Sequence, residues 1–293
     1  MGNKTKQSEI TTMDATLRKN SNARYLDFVA LSAGTGANIV SVVGIVAMNK
    51  HIQVNDDFPF IVLLSGLHFL FTSLCLRIFC VLNVFHFKPV PLKSAILKAS
   101  LDCASVALMN INLSKNSVGT YQLSKLSCIP VTVLTQFIVF GNRVSFPIVQ
   151  VLLIFCLFVG VATVTDVNVS VDGILWAFMA IVATVSSQLL TSRYLQNIGC
   201  DAVQLLYVTS PWIALQMFAI APFLDNLPPL NELIAKLAEA PTFRDILLSC
   251  VLAVVVNLTN YYVLGKAGAL TYQVVGHLKA VLTLGLGFLV LDR

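Results

Sequence analysis

The chain predicts an all-α polytopic membrane protein built from inverted five-helix repeats, with nine helices present of an expected ten. Three observations carry that expectation. Hydrophobic residues make up 57% of the 293 and charged residues only 11%, with a mean hydropathy of +0.82. A water-facing surface needs about a quarter of its residues charged. The apolar residues come in runs of about 20, the length that crosses hydrocarbon as a helix. And Thr-Tyr-Gln occurs twice, at Thr120-Tyr121-Gln122 and Thr271-Tyr272-Gln273, each preceded at the same distance by a lysine, Lys115 or Lys266.

Residues 1–24 are polar, with Lys4, Lys6, Arg18 and Lys19, and lack the apolar core of a signal peptide. Lys6 stands where a myristoylation pattern wants Ser or Thr, so Met1-Gly2 is read as an ordinary start to a cytosolic tail. The first repeat covers 25–166, with spans expected at 25–49, 58–82, 91–113, 118–140 and 145–166. Polar breaks at Lys50-His51 to Asp56-Asp57, Lys88-Pro89 and Asn142-Arg143 separate them. A short acidic stretch from Asp166 to Asp172 leads into the second repeat, 172–293. Its Asn168-Val169-Ser170 sequon lies too close to the membrane for glycosylation to be expected. Spans follow at 172–195, 201–224, 244–264 and 269–291. In the longest loop, Asp225 to Arg244, residues 231–237 predict a short interfacial helix.

The register of about 151 residues between the two Thr-Tyr-Gln copies covers five spans. Five is odd, so the second copy is inverted across the membrane relative to the first. In that register the fifth span has no partner, and the expectation is of a second repeat that stops one helix short. Orientation follows from basic residues. Arg77, Lys88, Lys93, Lys98, Arg143, Arg193 and Lys266 join the N-terminal tail on one side. Lys50, Lys115, Lys236, Arg244 and Arg293 fall on the other. The positive-inside rule puts the N-terminus in the cytosol.

The chemistry centres on two lysines, Lys125 and Lys279, one in the apolar run that follows each Thr-Tyr-Gln and expected at corresponding positions of the repeat. A lysine at the bilayer centre costs roughly 2.5–3.5 kcal/mol on insertion scales, so it is rarely there without a task. Tyr121 and Lys125 are four apart, and Tyr272, Gly276 and Lys279 follow i, i+4, i+7 spacing. Each set lies on one helical face, which turns both amines toward the interior. Two ammonium groups converging there repel one another unless an anion sits between them, and a phosphate or diphosphate fits. The plainer alternative is a lysine that snorkels to the interface. Gly276 leaves room beside Lys279, although close helix packing explains most membrane glycines.

Asn110, Asn260, Tyr207 and the repeated Gln122 and Gln273 add polar groups to the spans. Each must find a partner across helices or on a solute. His277 falls on another face and reads first as a packing residue. Asp102 lies one turn from Lys98 and is expected to pair with it. The seven cysteines lack metal-ligand spacing and read as small apolar packing residues. There is no Gly-x-Ser-x-Gly, no histidine-rich metal cluster and no pair of intramembrane carboxylates. An enzyme, a cofactor, a bound metal and a nucleic-acid partner are therefore not expected.

Several stretches resemble the drug/metabolite transporter superfamily, in its nucleotide-sugar and triose-phosphate translocator branch. They are Met48-Asn49-Lys50, Met109-Asn110-Ile111-Asn112-Leu113, the run from Asn116 to Lys125, Ile129-Pro130-Val131, Asn257-Leu258-Thr259-Asn260-Tyr261 and the run from Leu270 to Lys279. The likeness is nearest to the solute carrier family 35 E-type and to plant UDP-rhamnose, UDP-galactose and UDP-xylose transporters. It implies ten helices, cytosolic termini and residence in the Golgi or another endomembrane such as the endoplasmic reticulum. It also implies exchange of a cytosolic UDP-sugar for a lumenal nucleoside monophosphate, with Lys125 and Lys279 on the phosphates. Three further readings stand beside it. One is a translocator of smaller phosphorylated metabolites, another a non-transporting truncated isoform that regulates a full-length paralogue. A homo-oligomer is the third.

Overall fold

A computed structural model describes residues 2–163, 170–197 and 199–291, with side chains for 25–117, 119–161, 170–197, 199–279 and 281. The Asn168-Val169 part of the sequon lies outside these residues. Every regular element among them is helical: α1 (Gly2–Val54), α2 (Ile61–Val81), α3 (Leu92–Lys115), α4 (Val118–Phe140), α5 (Phe146–Thr163), α6 (Val171–Asn197), α7 (Ala202–Leu224), α8 (Leu230–Ala238) and α9 (Ala240–Leu291). The helix α1 begins at Gly2, so the polar segment is helical and continuous with the first span. Its apolar part is Tyr25–Val54. The short helix expected at 231–237 is α8, with Leu233 as its buried anchor.

At 52 residues α9 would extend about 78 Å if straight, far beyond the roughly 30 Å of hydrocarbon. It breaks at Gly268, whose φ of 81° and ψ of 168° are open to glycine and strained for other residues. The two arms, 240–267 and 269–291, fold back on each other. Tyr272 donates its hydroxyl hydrogen bond to Asn260 Oδ1 at 2.8 Å, while twelve residues along a straight helix would separate them by about 18 Å. Residues 240–267 and 269–291 are thus the eighth and ninth expected spans. With α1 to α7 they make the described chain an all-α polytopic membrane protein. Seven helical segments are long and apolar enough to cross a bilayer, α5 being the shorter companion.

The links between helices collect on two faces. On one, Asp225 caps α2 by accepting hydrogen bonds from the N–H groups of Val62 (3.1 Å) and Leu63 (2.7 Å), and Lys236 of α8 reaches Asp57. On the other, Lys88 donates to the carbonyl of Gly199 at 2.6 Å. We call these the Asp225 face and the Gly199 face. The repeat register is visible in how α3 meets α4 and how the arms of α9 meet. Asn116, at the first reversal, donates to Gly173 O at the start of α6. Gly265 and Gly268, at the second, lie against Leu195 and Ser192 near the end of α6. Equivalent reversals therefore sit at opposite ends of one helix, as inversion requires.

Close approach of helices is bought with small residues, as expected where lipid removes the hydrophobic drive between helices. A Cβ on Gly34 would stand 2.6 Å from the Tyr262 ring, and one on Gly66 would stand 2.8 Å from Phe218. These glycines seat α1 on α9 and α2 on α7. Phe146, Val151, Leu157, Phe158 and Val161 of α5 are left exposed, which suits a lipid-facing helix.

One charged residue departs from its expected place. Lys98 does not belong to the loop charges of the positive-inside count, because its side chain is fully buried. It pairs with Asp102 one turn on, as its spacing suggests. Asp102 also accepts from Ser187 Oγ and, at 2.8 Å, from the Tyr261 hydroxyl. Each carboxylate oxygen is thereby paired, the condition under which a buried charge is tolerated.

Asp225 supplies a stability test. Asp225→Ala should cost about 1 kcal/mol through loss of the cap, and Asp225→Asn much less; thermal unfolding in detergent micelles reads both. Burial pushes the Asp225 carboxyl up, against two N–H donors that hold it down. The folded state then binds the proton more tightly than the unfolded one. The contribution of Asp225 falls as pH rises from the unfolded to the folded value.

Candidate functional site

A cavity of about 680 Å³ lies between α1, α3, α4, α6 and both arms of α9. Nine of the ten candidate residues line it: Lys125, Lys279, Tyr121, Gln122, Tyr272, Gln273, Gly276, Asn110 and Asn260. No aspartate or glutamate is among the described lining residues.

The two lysines enter from opposite ends of the membrane. Lys125 lies seven residues into α4 from the Asp225 face, and Lys279 lies eleven beyond Gly268 from the Gly199 face. At 1.5 Å per residue these are depths of about 10 and 16 Å, so both amines reach the middle of the bundle. Each rides on the tyrosine of its own repeat. Lys125 Nζ is 5.1 Å from the centre of the Tyr121 ring, and Lys279 Nζ is 4.6 Å from that of Tyr272. An aromatic face attracts a cation without supplying a counter-charge.

The lysines do not occupy corresponding positions, contrary to the expectation. In the 151-residue register Lys125 aligns with Gly276 and Lys279 with Cys128. The offset of three residues moves each amine along its helix by about one turn and keeps both on the tyrosine's face. Gly276 and Cys128 are small and line the same cavity. A Cβ on Gly276 would meet nothing within 4 Å, so the glycine marks open cavity and not a helix contact.

The amides are held in place from outside. Gln273 Nε2 donates to Thr132 Oγ1 at 2.6 Å and to Gln188 Oε1 at 2.9 Å. Asn260 Oδ1 accepts from Tyr272 and, at 2.8 Å, from Asn38 Nδ2. Gln273 Oε1 and Asn110 Nδ2 are buried in the cavity wall with no hydrogen-bond partner among the described residues. Such groups are costly unless a ligand or water completes them.

Tyr207 is not part of this site. It lies on α7, which contributes nothing to the cavity, and its ring packs edge-on against Phe85 (5.7 Å) and beside Phe87 (5.6 Å). An isolated tyrosine in a span gives no sign of which helix it will face. His277 departs the other way. It packs against Phe155 at 6.0 Å, as expected, and it also lines the cavity. Ser105 and Thr184, bonded to each other at 2.8 Å, line it as well. Single hydroxyls in apolar helices gave no signal for them.

Elsewhere, His51, Asp56 and Asp245 come within reach of one another on the Asp225 face. There His51 Nε2 lies 3.2 Å from the Asp245 carboxylate, and Arg244 donates to the same carboxylate at 2.7 Å.

The described chain is a polytopic helical bundle with a central cavity lined by two lysines, and no aspartate or glutamate is among its described lining residues. No family model matches the chain. It is 35% identical over 256 residues to UDP-xylose transporter 1 of Arabidopsis thaliana, which covers 87% of this chain and 74% of that relative. It is 34% identical over 257 residues to UDP-rhamnose/UDP-galactose transporter 3 of the same plant, with 87% and 73% covered. Nucleotide-sugar uncharacterized transporter 1 is 32% identical over 253 residues, with 85% and 64% covered. The chain belongs to the nucleotide-sugar transporter family.

Two substitutions separate wall from surroundings. Gln273→Leu strands Thr132 and Gln188 and should lower stability by about 1–3 kcal/mol. Tyr207→Phe keeps the ring packing and should stay within about 0.5 kcal/mol of the parent. Melting curves of the purified protein check both.

Proposed function

We propose that the chain carries a nucleotide sugar of the UDP class across an endomembrane, in exchange for a nucleoside monophosphate. One observation carries the reading: Lys125 and Lys279, borne by the two repeats, converge on one cavity. A diphosphate bridges two such amines, since lysine serves it as a point charge. The volume lies within the range of small-molecule sites. The unpartnered Gln273 Oε1 and Asn110 Nδ2 suit the hydroxyls or base of such a solute. The names of the relatives support the UDP-sugar class. Exchange for the monophosphate follows from the same clamp, since either solute brings phosphate to the lysines.

In this reading Lys125 and Lys279 hold the phosphates, and Tyr121 and Tyr272 keep the amines in place when the site is empty. Gln122, Gln273, Asn110 and Asn260 bind the remainder, and Gly276 makes room. The first repeat (25–166) and the second (172–293) rock about the cavity to expose it to each side in turn. The membrane is the Golgi's, with the N-terminus in the cytosol, as the basic residues favour.

In proteoliposomes loaded with UMP, Lys279→Ala should reduce uptake of labelled UDP-xylose by on the order of 10²-fold, the scale for removing one partner of a buried charge pair. Uptake at the parent rate would end the clamp assignment. Free UMP outside the vesicles should compete with the labelled sugar. Competition by a small phosphorylated metabolite but not by UMP would favour the smaller-solute translocator. Gly276→Leu should fold normally, because its new side chain enters open space, and should block uptake.

A further inference from the structure

We propose that Asn38, on α1 of the first repeat, is a positioning residue for the site. It fixes the amide of Asn260 so that its N–H groups are offered to the cavity beside Lys279, where they bind a phosphoryl oxygen of the solute. The phosphoryl assignment rests on the transport reading, while the orientation of the amide rests on hydrogen bonds alone.

Asn38 is fully buried and is not among the residues that line the cavity. Its place follows from one side of α1, read at intervals of four residues. Gly34 lets α1 close on the Tyr262 ring of α9. Asn38 follows one turn later, and Val42 and Val46 continue into the cavity wall. Asn38 thereby meets the first arm of α9 at Thr259 and Asn260, behind the wall.

The donors and acceptors settle which way each amide points. The Thr259 hydroxyl donates to the backbone carbonyl of Val255 at 2.7 Å, a common bond for threonine in a helix. Its hydrogen is committed there, so Thr259 Oγ1 accepts from Asn38, which turns its Nδ2 toward it at 2.8 Å. The second hydrogen of that Nδ2 goes to Asn260 at 2.8 Å, and Asn260 answers with Oδ1. The same Oδ1 accepts from the Tyr272 hydroxyl at 2.8 Å. Both lone pairs of the oxygen are then taken, and Asn260 has its two N–H donors left to offer from the cavity wall. Reversing this amide would set N–H against N–H at Asn38.

Gln273 is set the opposite way. Its Nε2 is committed to Thr132 and Gln188, and its Oε1 is the unpartnered atom. The cavity wall thus holds two fixed amides of opposite polarity, and the donor is the one beside a cation. Asn260 holds the hydroxyl of Tyr272, whose ring carries Lys279 Nζ at 4.6 Å from its centre. Asn260 lies eight residues from Gly268 on one arm and Lys279 eleven on the other, depths of about 12 and 16 Å. Amide donors and an ammonium at similar depth suit a group that only accepts hydrogen bonds. A phosphoryl oxygen is such a group, and its charge strengthens each bond. Gln273 Oε1 suits a hydroxyl or an N–H of the same solute.

Asn38→Leu replaces the amide by an apolar side chain of similar size. It strands no donor, since the Thr259 hydroxyl keeps Val255, and the Asn38 Oδ1 that it removes has no partner among the described residues. The variant should therefore fold. The full-length chain in lipid nanodiscs is compared with Asn38→Leu, Asn260→Ala and the double variant. Two quantities are measured: affinity for UMP, and the rate of reductive methylation at Lys279 relative to Lys125, by peptide mass spectrometry. Lys125, on the tyrosine of the other repeat, is the internal reference. Asn38→Leu should weaken UMP binding about fivefold, a shift of ~1 kcal/mol. It should raise the Lys279 to Lys125 ratio of the ligand-free protein about threefold, because a loosened Tyr272 holds its amine less firmly. In the Asn260→Ala background Asn38→Leu should change neither quantity, since no amide is left to orient. Equal effects in both backgrounds would make Asn38 a general packing residue and overturn the positioning role, as would an unchanged affinity and ratio in the single variant. Pyrophosphate competing with UMP should lose affinity by the same factor. A loss for UMP alone, or no displacement of UMP by pyrophosphate, would overturn the phosphoryl assignment. Failure of the parent protein to bind UMP would remove the transport reading and leave the methylation ratio to decide the orientation of Asn260.

Discussion

Charge buried in a bilayer is unfavourable unless something pairs it, and the two ways in which this chain meets that constraint organise the molecule. At Asp102 the pairing is internal: lysine, tyrosine and serine surround the carboxylate from helices of both repeats. At Lys125 and Lys279 the wall gives aromatic faces, and no aspartate or glutamate is among its described lining residues. The first arrangement stores no affinity for a solute. The second brings two amines to the wall of one open cavity, where a phosphate can reach both.

The rest of the architecture serves to bring these groups to their depths. Glycines at 34 and 66 allow helices to approach until side chains from different repeats meet. The break at Gly268 turns what would be one overlong helix into two antiparallel arms, and it is this fold-back that lets Asn260 and Tyr272 bond. The reversal between α3 and α4 does the same at the other end of α6, with Asn116 fastened to Gly173. Because the two reversals face opposite ways, a lysine following each one approaches the centre from its own side. A three-residue offset in the register is no obstacle, since one helical turn preserves the face.

Much of this was legible in the sequence because lipid simplifies the code. Apolar runs of fixed length mark the spans, and a duplicated tripeptide marks the repeat. The tyrosine–lysine spacings mark inward faces by helical periodicity alone. Nine of ten candidate residues reached the cavity for that reason. Tyr207 did not, because a single polar residue in a span has no periodic partner to show its direction, and packing with Phe85 and Phe87 decided it. Thr132, Ser105 and Thr184 were silent for the same reason: hydroxyls are cheap in helices and acquire meaning only from a partner on another helix. The pairing of Lys98 with Asp102 was readable one turn apart, but its extension to Tyr261, 159 residues away, was not.

The sequence by itself determined that the chain crosses a membrane many times, that it is internally repeated and inverted, and that each repeat carries one tyrosine-backed lysine. These follow from composition and local periodicity, which need no knowledge of distant neighbours. Only the tertiary structure decided that both lysines share one cavity, that no aspartate or glutamate is among its described lining residues, and that Asp102 binds helices of both repeats together. Those are relations between helices far apart in the chain. Their physical cause is packing across the bundle, where the partner of a buried polar group is chosen by proximity in space and leaves no mark in the spacing along the chain.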